Sequence, residues 1–167
     1  MSNSQPWDNL KFDLEGIAEV KRKFFGTIYN TYQFFVLYAN LDGFTYSEPE
    51  MELSKRPEID RWVLSKLNSL VTFVDEAYAD YEPTKASRAI QEYSEDKVSA
   101  YQTLYTCLET VAKLSSPVAP FYMDHLFRDL NAASGRENVE SIHLSDFPVS
   151  NTALIDQDLE EKMEIAQ

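Results

Sequence analysis

The sequence predicts an all-α fold, an antiparallel helix bundle, and three observations carry that prediction. Only four of the 167 residues are glycine, too few for a turn-rich β architecture. Apolar residues recur at intervals of three and four along most of the chain. Helix stop and start signals such as Asp42-Gly43, Pro57, Pro83 and Pro117 fall between those periodic stretches, not inside them. With 44% hydrophobic and 26% charged residues, the composition suits one globular domain with a substantial core.

The elements follow in order. Residues 1–12 read as a linker. Asp13 is placed to cap a helix beginning at Leu14. Leu14, Ile17, Phe24, Phe25, Ile28, Tyr32, Phe35, Val36 and Ala39 share one broad face, predicting a helix to about Asn40 that is roughly 40 Å long. Asp42-Gly43 ends it, and an acidic irregular connection runs over 42–56. A second helix has Pro57 in its first turn and an apolar face from Ile59 through Val63, Leu67, Leu70, Val71, Val74, Ala77 and Tyr78 to Tyr81. Pro83 opens a short third helix through Ala86, Ala89 and Ile90. Ser94, followed by Glu95 and Asp96, is expected to cap a fourth, in which Val98, Tyr101, Leu104, Tyr105, Leu108, Val111 and Ala112 repeat. Pro117 stops that helix and, with Pro120, opens a fifth through Leu126 and Leu130. A polar loop is predicted over 131–138, a short strand-like arm over Ser141–Leu144, and a final helix or frayed acidic tail over 156–165.

Composition also limits function. One cysteine, Cys107, excludes an internal disulfide, and with no CxxC pair or histidine cluster a structural zinc site is not expected. Cys107 reads as a small buried hydrophobe, and His125 and His143 as solvated or core residues. The start lacks the basic-then-apolar pattern of a signal peptide, and the stretch from Phe24 to Ala39 is too short and polar to span a bilayer. A cytoplasmic location and no membrane partner are therefore expected. There is no nucleotide-binding glycine loop and no specific nucleophile–base arrangement.

The net charge of −13 opposes nucleic-acid binding, because phosphate contacts usually supply most of that affinity. From Glu137 onward, however, eight acids face a single base, so about half of the excess lies in the last fifth of the chain. Three basic groups stand out elsewhere. In Lys21-Arg22-Lys23, Lys21 falls near the centre of the apolar stripe, Arg22 at its edge and Lys23 on the polar side. A lysine so placed runs its stem along the core or reaches a phosphate at the bundle end. Lys55-Arg56, with Arg61 one turn into the second helix, stands at a helix start favourable to phosphate, or balances Glu48, Glu50 and Glu52. Lys85 and Arg88 share a helical face, solvated or gripping a phosphate. The aromatic run over 24–35 follows helical spacing and reads as core packing before base stacking.

Five segments, in order, resemble isoleucyl-tRNA synthetases of class I. The opening Ser2-Asn3-Ser4-Gln5-Pro6-Trp7-Asp8-Asn9-Leu10-Lys11-Phe12 resembles the exit from their catalytic domain. Phe24-Phe25-Gly26-Thr27-Ile28-Tyr29-Asn30-Thr31-Tyr32-Gln33-Phe34-Phe35 and Arg56-Pro57-Glu58-Ile59-Asp60-Arg61-Trp62-Val63-Leu64-Ser65-Lys66-Leu67 are similar to the first two helices of their anticodon-binding domain. Tyr81-Glu82-Pro83-Thr84-Lys85-Ala86-Ser87-Arg88-Ala89-Ile90 and Ser116-Pro117-Val118-Ala119-Pro120-Phe121 continue the likeness.

The resemblance implies a helical anticodon-binding domain over 13–136 and an acidic extension over 137–167. It further implies a parent enzyme that joins isoleucine to its tRNA with ATP and Mg2+. The fragment itself is expected to hold no cofactor, to perform no catalysis, and to have as partners the anticodon arm of tRNA(Ile) and the parent's catalytic domain. Lys21, Arg22, Lys23, Arg61, Lys85 and Arg88 are the expected tRNA contacts. The likeness breaks after Glu92, where the family continues with an Asn-Trp-Tyr stretch and an arginine-rich helix. Here the chain passes directly to Tyr93-Ser94-Glu95-Asp96, about twenty residues short. An acidic helical bundle that binds basic proteins is the alternative reading.

Overall fold

The computed structural model describes residues 13–95 and 101–166, and the predicted linker over 1–12 lies outside them. A continuous helical rod comes first, in three pieces: α1 (Leu14–Val20), a π turn (Lys21–Phe25) and α2 (Gly26–Asp42). Asp13 caps it as expected, its carboxylate accepting from the backbone N–H of Glu15 and Gly16. The π turn holds one residue more than an α-helical turn and so rotates α1 relative to α2. The apolar positions on either side therefore do not form one stripe. Ile28, Phe35 and Ala39 are buried, whereas α1 buries nothing and leaves Leu14 and Ile17 exposed. The same rotation carries Lys21 out of the predicted apolar centre into solvent. Gly43, at φ +69°, ends α2 in the left-handed conformation that favours glycine.

The centre of the core is α3 (Glu58–Ala79), whose Trp62, Val63, Leu64, Leu67, Leu70, Val71, Val74 and Ala77 are all buried. A tight turn leads into α4 (Pro83–Glu95), which packs back along α3. Tyr81 sits in that turn at φ +58° and is 85% exposed, so it leaves the apolar face on which 3.6-residue spacing placed it. Ser94 does not cap a new helix. It lies in the last turn of α4, its hydroxyl donating to the Ile90 carbonyl at 2.7 Å. The turn is held there because Tyr93 is buried, its hydroxyl 3.4 Å from the Val63 carbonyl and 3.1 Å from Cys107 Sγ. Asp96 and Val98 lie outside the described residues.

The bundle closes with α5 (Tyr101–Ser115) and α6 (Pro120–Ser134), which contribute Leu104, Leu108, Val111, Met123, Leu126, Phe127 and Leu130 to the core. Tyr101 donates its hydroxyl to Asp42, tying the start of α5 to the end of α2. Pro120 opens α6 as predicted, but α6 runs on through Asn131 to Ser134, half of the segment expected to be loop. Cys107 is buried, as predicted.

Residues beyond Gly135 fold back over the bundle. Ser141–Leu144, expected to be strand-like, begins a 3-10 turn at Ile142. The Ser141 hydroxyl and the Ile142 N–H both donate to Asp124 of α6, and buried Ile142 then fixes the turn. Further on, α7 (Gln157–Ala166) buries Leu159 and packs on α3. Ser65 donates to Glu160 of α7 and accepts the Asp156 N–H at 2.7 Å.

Candidate functional site

The π turn places the first three cations. Lys21 and Arg22 are exposed, while Lys23 pairs with Glu19 at 2.8 Å. That pair holds the Glu19 carboxyl below its ordinary value. Phe24 and Phe25 point the other way and clamp the turn to the bundle: their rings meet edge-on at 5.1 Å, and Phe25 meets Tyr122 of α6 at 5.2 Å. Of the aromatic run, Phe24, Phe25, Tyr32 and Phe35 pack on the core as predicted, whereas Tyr29 and Phe34 are exposed.

The π turn also packs against α4. Between them lies an apolar groove of about 190 Å³, walled by Phe24, Phe25, Ile90, Gln91 and Val118. Ser115 lines it too, buried and with its hydroxyl lacking a hydrogen-bond partner. On α4, Lys85 is exposed and sits 3.3 Å from Glu82, and Arg88 is exposed one turn on. The structure therefore brings five of the six predicted residues, Lys21, Arg22, Lys23, Lys85 and Arg88, onto two elements in contact. The Glu19–Lys23 and Glu82–Lys85 pairs are partly exposed and contribute little to stability.

Arg61 stands apart. It lies in the first turn of α3, whereas Lys85 begins α4 near the opposite end of α3. Its Nε is buried without a hydrogen-bond partner, and its side chain borders a polar cleft formed with Leu53 and residues 152–158. Asp156 and Asp158 line the same cleft, so its charge is mixed.

The Lys55-Arg56 pair does not form a phosphate patch. Arg56 is buried: its Nε donates to the Met51 carbonyl at 3.1 Å and its Nη1 to Thr103 Oγ1 at 3.0 Å, with Glu50 3.8 Å away. It staples the 42–56 connection to α5. Lys55 faces solvent beside Glu52 at 3.1 Å.

Sequence reasoning passed over Arg136. Its guanidinium lies 4.2 Å from the Tyr46 ring centroid and 5.5 Å from that of Tyr105, and 4.0 Å from Glu109. Tyr46 takes φ +60°, and its buried hydroxyl lacks a partner. Arg136 follows the Gly135 stop and belongs to no periodic stretch, so no spacing signal pointed to it.

Comparison with known proteins adds the family. Residues 60–167 match the sequence model described as the anticodon-binding domain of tRNA ligase. The whole chain is similar to the isoleucine–tRNA ligase of Cytophaga hutchinsonii, 58% identical over 189 residues and 17% of that protein. It is likewise similar to that of Bacteroides thetaiotaomicron, 54% identical over the whole chain and 16% of the relative. For Dehalococcoides mccartyi, the corresponding ligase is 39% identical over 96% of the chain and 18% of the relative. The chain thus spans about a sixth of the length of the relatives it matches.

Proposed function

Since this chain belongs to the family of anticodon-binding domains of tRNA ligases, we propose that it docks the anticodon arm of tRNA(Ile). In this reading it positions the RNA for catalytic machinery carried elsewhere in a longer parent. That parent joins isoleucine to tRNA, using ATP and Mg2+, in the cytoplasm. The fragment holds neither cofactor and catalyses nothing by itself. The family match over residues 60–167 is the observation that carries the proposal.

The contact surface is the π turn with α4, where Lys21, Arg22, Lys23, Lys85 and Arg88 grip the phosphate backbone. Arg61 serves as a separate contact at the far end of α3. Anticodon arms expose closely spaced phosphates, and a few cations on adjacent elements suffice to steer them even when the net charge is unfavourable.

A gel-shift titration with tRNA(Ile) at low and moderate salt tests this. Binding that weakens steeply with salt is the expected result. The charge of −13 favours a second reading, an acidic bundle that binds basic proteins. Salt-sensitive capture of a polycationic peptide, with no shift of tRNA at low salt, would support that reading instead. ATP–pyrophosphate exchange by the isolated chain is expected to be undetectable.

A further inference from the structure

Four aromatic rings enclose a cavity between α2, α5 and α6. Phe35 comes from α2 and Tyr105 from α5. Phe44 and Tyr46 follow the Gly43 cap, where the Phe44 N–H donates to the Ala39 carbonyl at 2.8 Å and turns the chain back over its own helix. Phe35 meets Phe44 at 6.1 Å between centroids, Phe44 meets Tyr46 at 5.6 Å, Tyr46 meets Tyr105 at 4.8 Å, and Tyr105 meets Phe35 at 6.1 Å. These contacts close into a circuit. In the same order, neighbouring planes cross at 84°, 65°, 58° and 63°. All four residues wall a void of about 130 Å³.

We propose that this box is a binding site for a small quaternary ammonium compound of the choline class. The face of an aromatic ring attracts a cation within ~6 Å of its centroid, and rings spaced this closely bring a point among them inside that reach of all four. The steep angles suit a round head group, whereas a flat base needs an open ring face to lie parallel to. A cavity of ~150 Å³ holds a benzene molecule, so the void here suits a trimethylammonium group. A quaternary nitrogen also has no N–H to satisfy, which matches walls that offer ring faces more than acceptors.

Charge favours the same occupant. Asp129 of α6 lines the cavity and is 41% exposed, so its carboxylate stands at the mouth, where it accepts the Tyr32 hydroxyl at 3.3 Å. The net charge of −13 draws cations to the surface. Two of the rings already hold one cation, the Arg136 guanidinium on Tyr46 and Tyr105. Arg136 does not wall the cavity, so the inward side of those rings is left to a ligand. The Tyr46 hydroxyl, buried and without a partner, is available to the hydroxyl of a choline-type ligand.

The test is an NMR titration of the chain with choline chloride, against sodium chloride at matched ionic strength. The expected result is saturable shifts confined to the surroundings of the four rings, with a midpoint on the order of 1 mM. Dimethylbutanol, the uncharged carbon isostere of choline, should bind about tenfold more weakly or worse. Tyr46→Leu should weaken choline binding about tenfold, and Asp129→Asn about threefold. Asp129 is half-exposed, so its variant keeps the test decisive if Tyr46→Leu does not fold. Absence of saturable shifts at these residues would overturn the proposal. Equal binding of the isostere would also overturn it, since the void would then be merely apolar. A trimethyllysine peptide that binds about tenfold tighter than choline would overturn the assignment to a free small molecule. None of these readouts involves RNA, so the outcome is separate from tRNA binding.

Discussion

Asn68, midway along α3, accepts the backbone N–H of Asn151 at 2.8 Å through its side-chain oxygen, while its side-chain nitrogen donates to the Leu64 carbonyl at 2.8 Å. The Ser150 hydroxyl donates to the Asn68 carbonyl at 2.9 Å. One buried amide thus joins residues 83 positions apart and holds the C-terminal segment on the helix that carries the core. Asn68→Ala leaves the Asn151 N–H without its acceptor, and a loss of about 1–2 kcal/mol is expected. Urea unfolding measures it. Proteolysis between residues 136 and 157 should quicken in the variant.

Arg136 lies stacked on Tyr46 and Tyr105. Arg136→Ala removes both ring contacts and the Glu109 pair, for an expected cost of about 1–2 kcal/mol. Arg136→Lys should recover only part of it, because the ammonium lacks the planar face that stacks on a ring. Denaturation midpoints of the two variants decide this.

The Asp124 anchor gives an acid dependence. Hydrogen bonds from Ser141, chiefly, and from the Ile142 N–H hold its carboxyl below the ordinary 3.8, with Arg128 and His143 adding to the effect. A depressed carboxyl stabilises the fold above its unfolded value, and the contribution is lost as pH falls through the folded value. The window is therefore below about pH 3.8. Asp124→Asn should flatten the stability profile in that window, as read from unfolding midpoints across the acid range.

Burial pushes the Cys107 thiol up to about 12, although the Tyr93 hydroxyl beside it pulls the other way. At neutral pH it is a protonated, enclosed thiol. Its reaction with an aromatic disulfide reagent should be slow in the native chain and rise with urea in step with opening of the fold. Fast native labelling would contradict the burial.

Lys21→Ala with Arg22→Ala should weaken tRNA(Ile) binding and make the dependence of log affinity on log salt shallower, by about 0.7–0.9 for each phosphate no longer neutralised. Weaker binding with an unchanged slope would place the phosphate-gripping residues elsewhere. Lys85→Ala with Arg88→Ala should act in the same direction. Arg61→Ala reports separately on the distant end of α3.

Helix number and most core positions were legible because periodic burial is written in spacing: Val63, Leu67, Leu70, Val71 and Val74 are buried as predicted. Spacing assumes an unbroken 3.6-residue period, and the π turn violates it. This is why 3.6-residue spacing puts Leu14, Ile17 and Lys21 in a core they do not enter. Ser94 misleads because a serine before acids is a good cap only when no tertiary contact competes, and buried Tyr93 holds the turn helical. Arg56 shows the same limit for charge, since a cation in an acidic loop carries no mark of the carbonyl and hydroxyl that draw it inward. The contact of the π turn with α4 depends on packing between distant segments, so the joining of their basic residues was not visible in either segment alone.

The surplus residue in the π turn acts as a phase shift. Removing one position between Lys21 and Phe25 would turn the segment into an ordinary α turn while leaving α1 facing as it does now, because the wide turn already absorbs the extra residue. An unbroken α-helix over the same residues would instead turn α1 by about 100° about the rod axis and bring Leu14 and Ile17 round toward the side occupied by Ile28. A single wide turn thus sets which way an entire cationic edge faces without altering its composition.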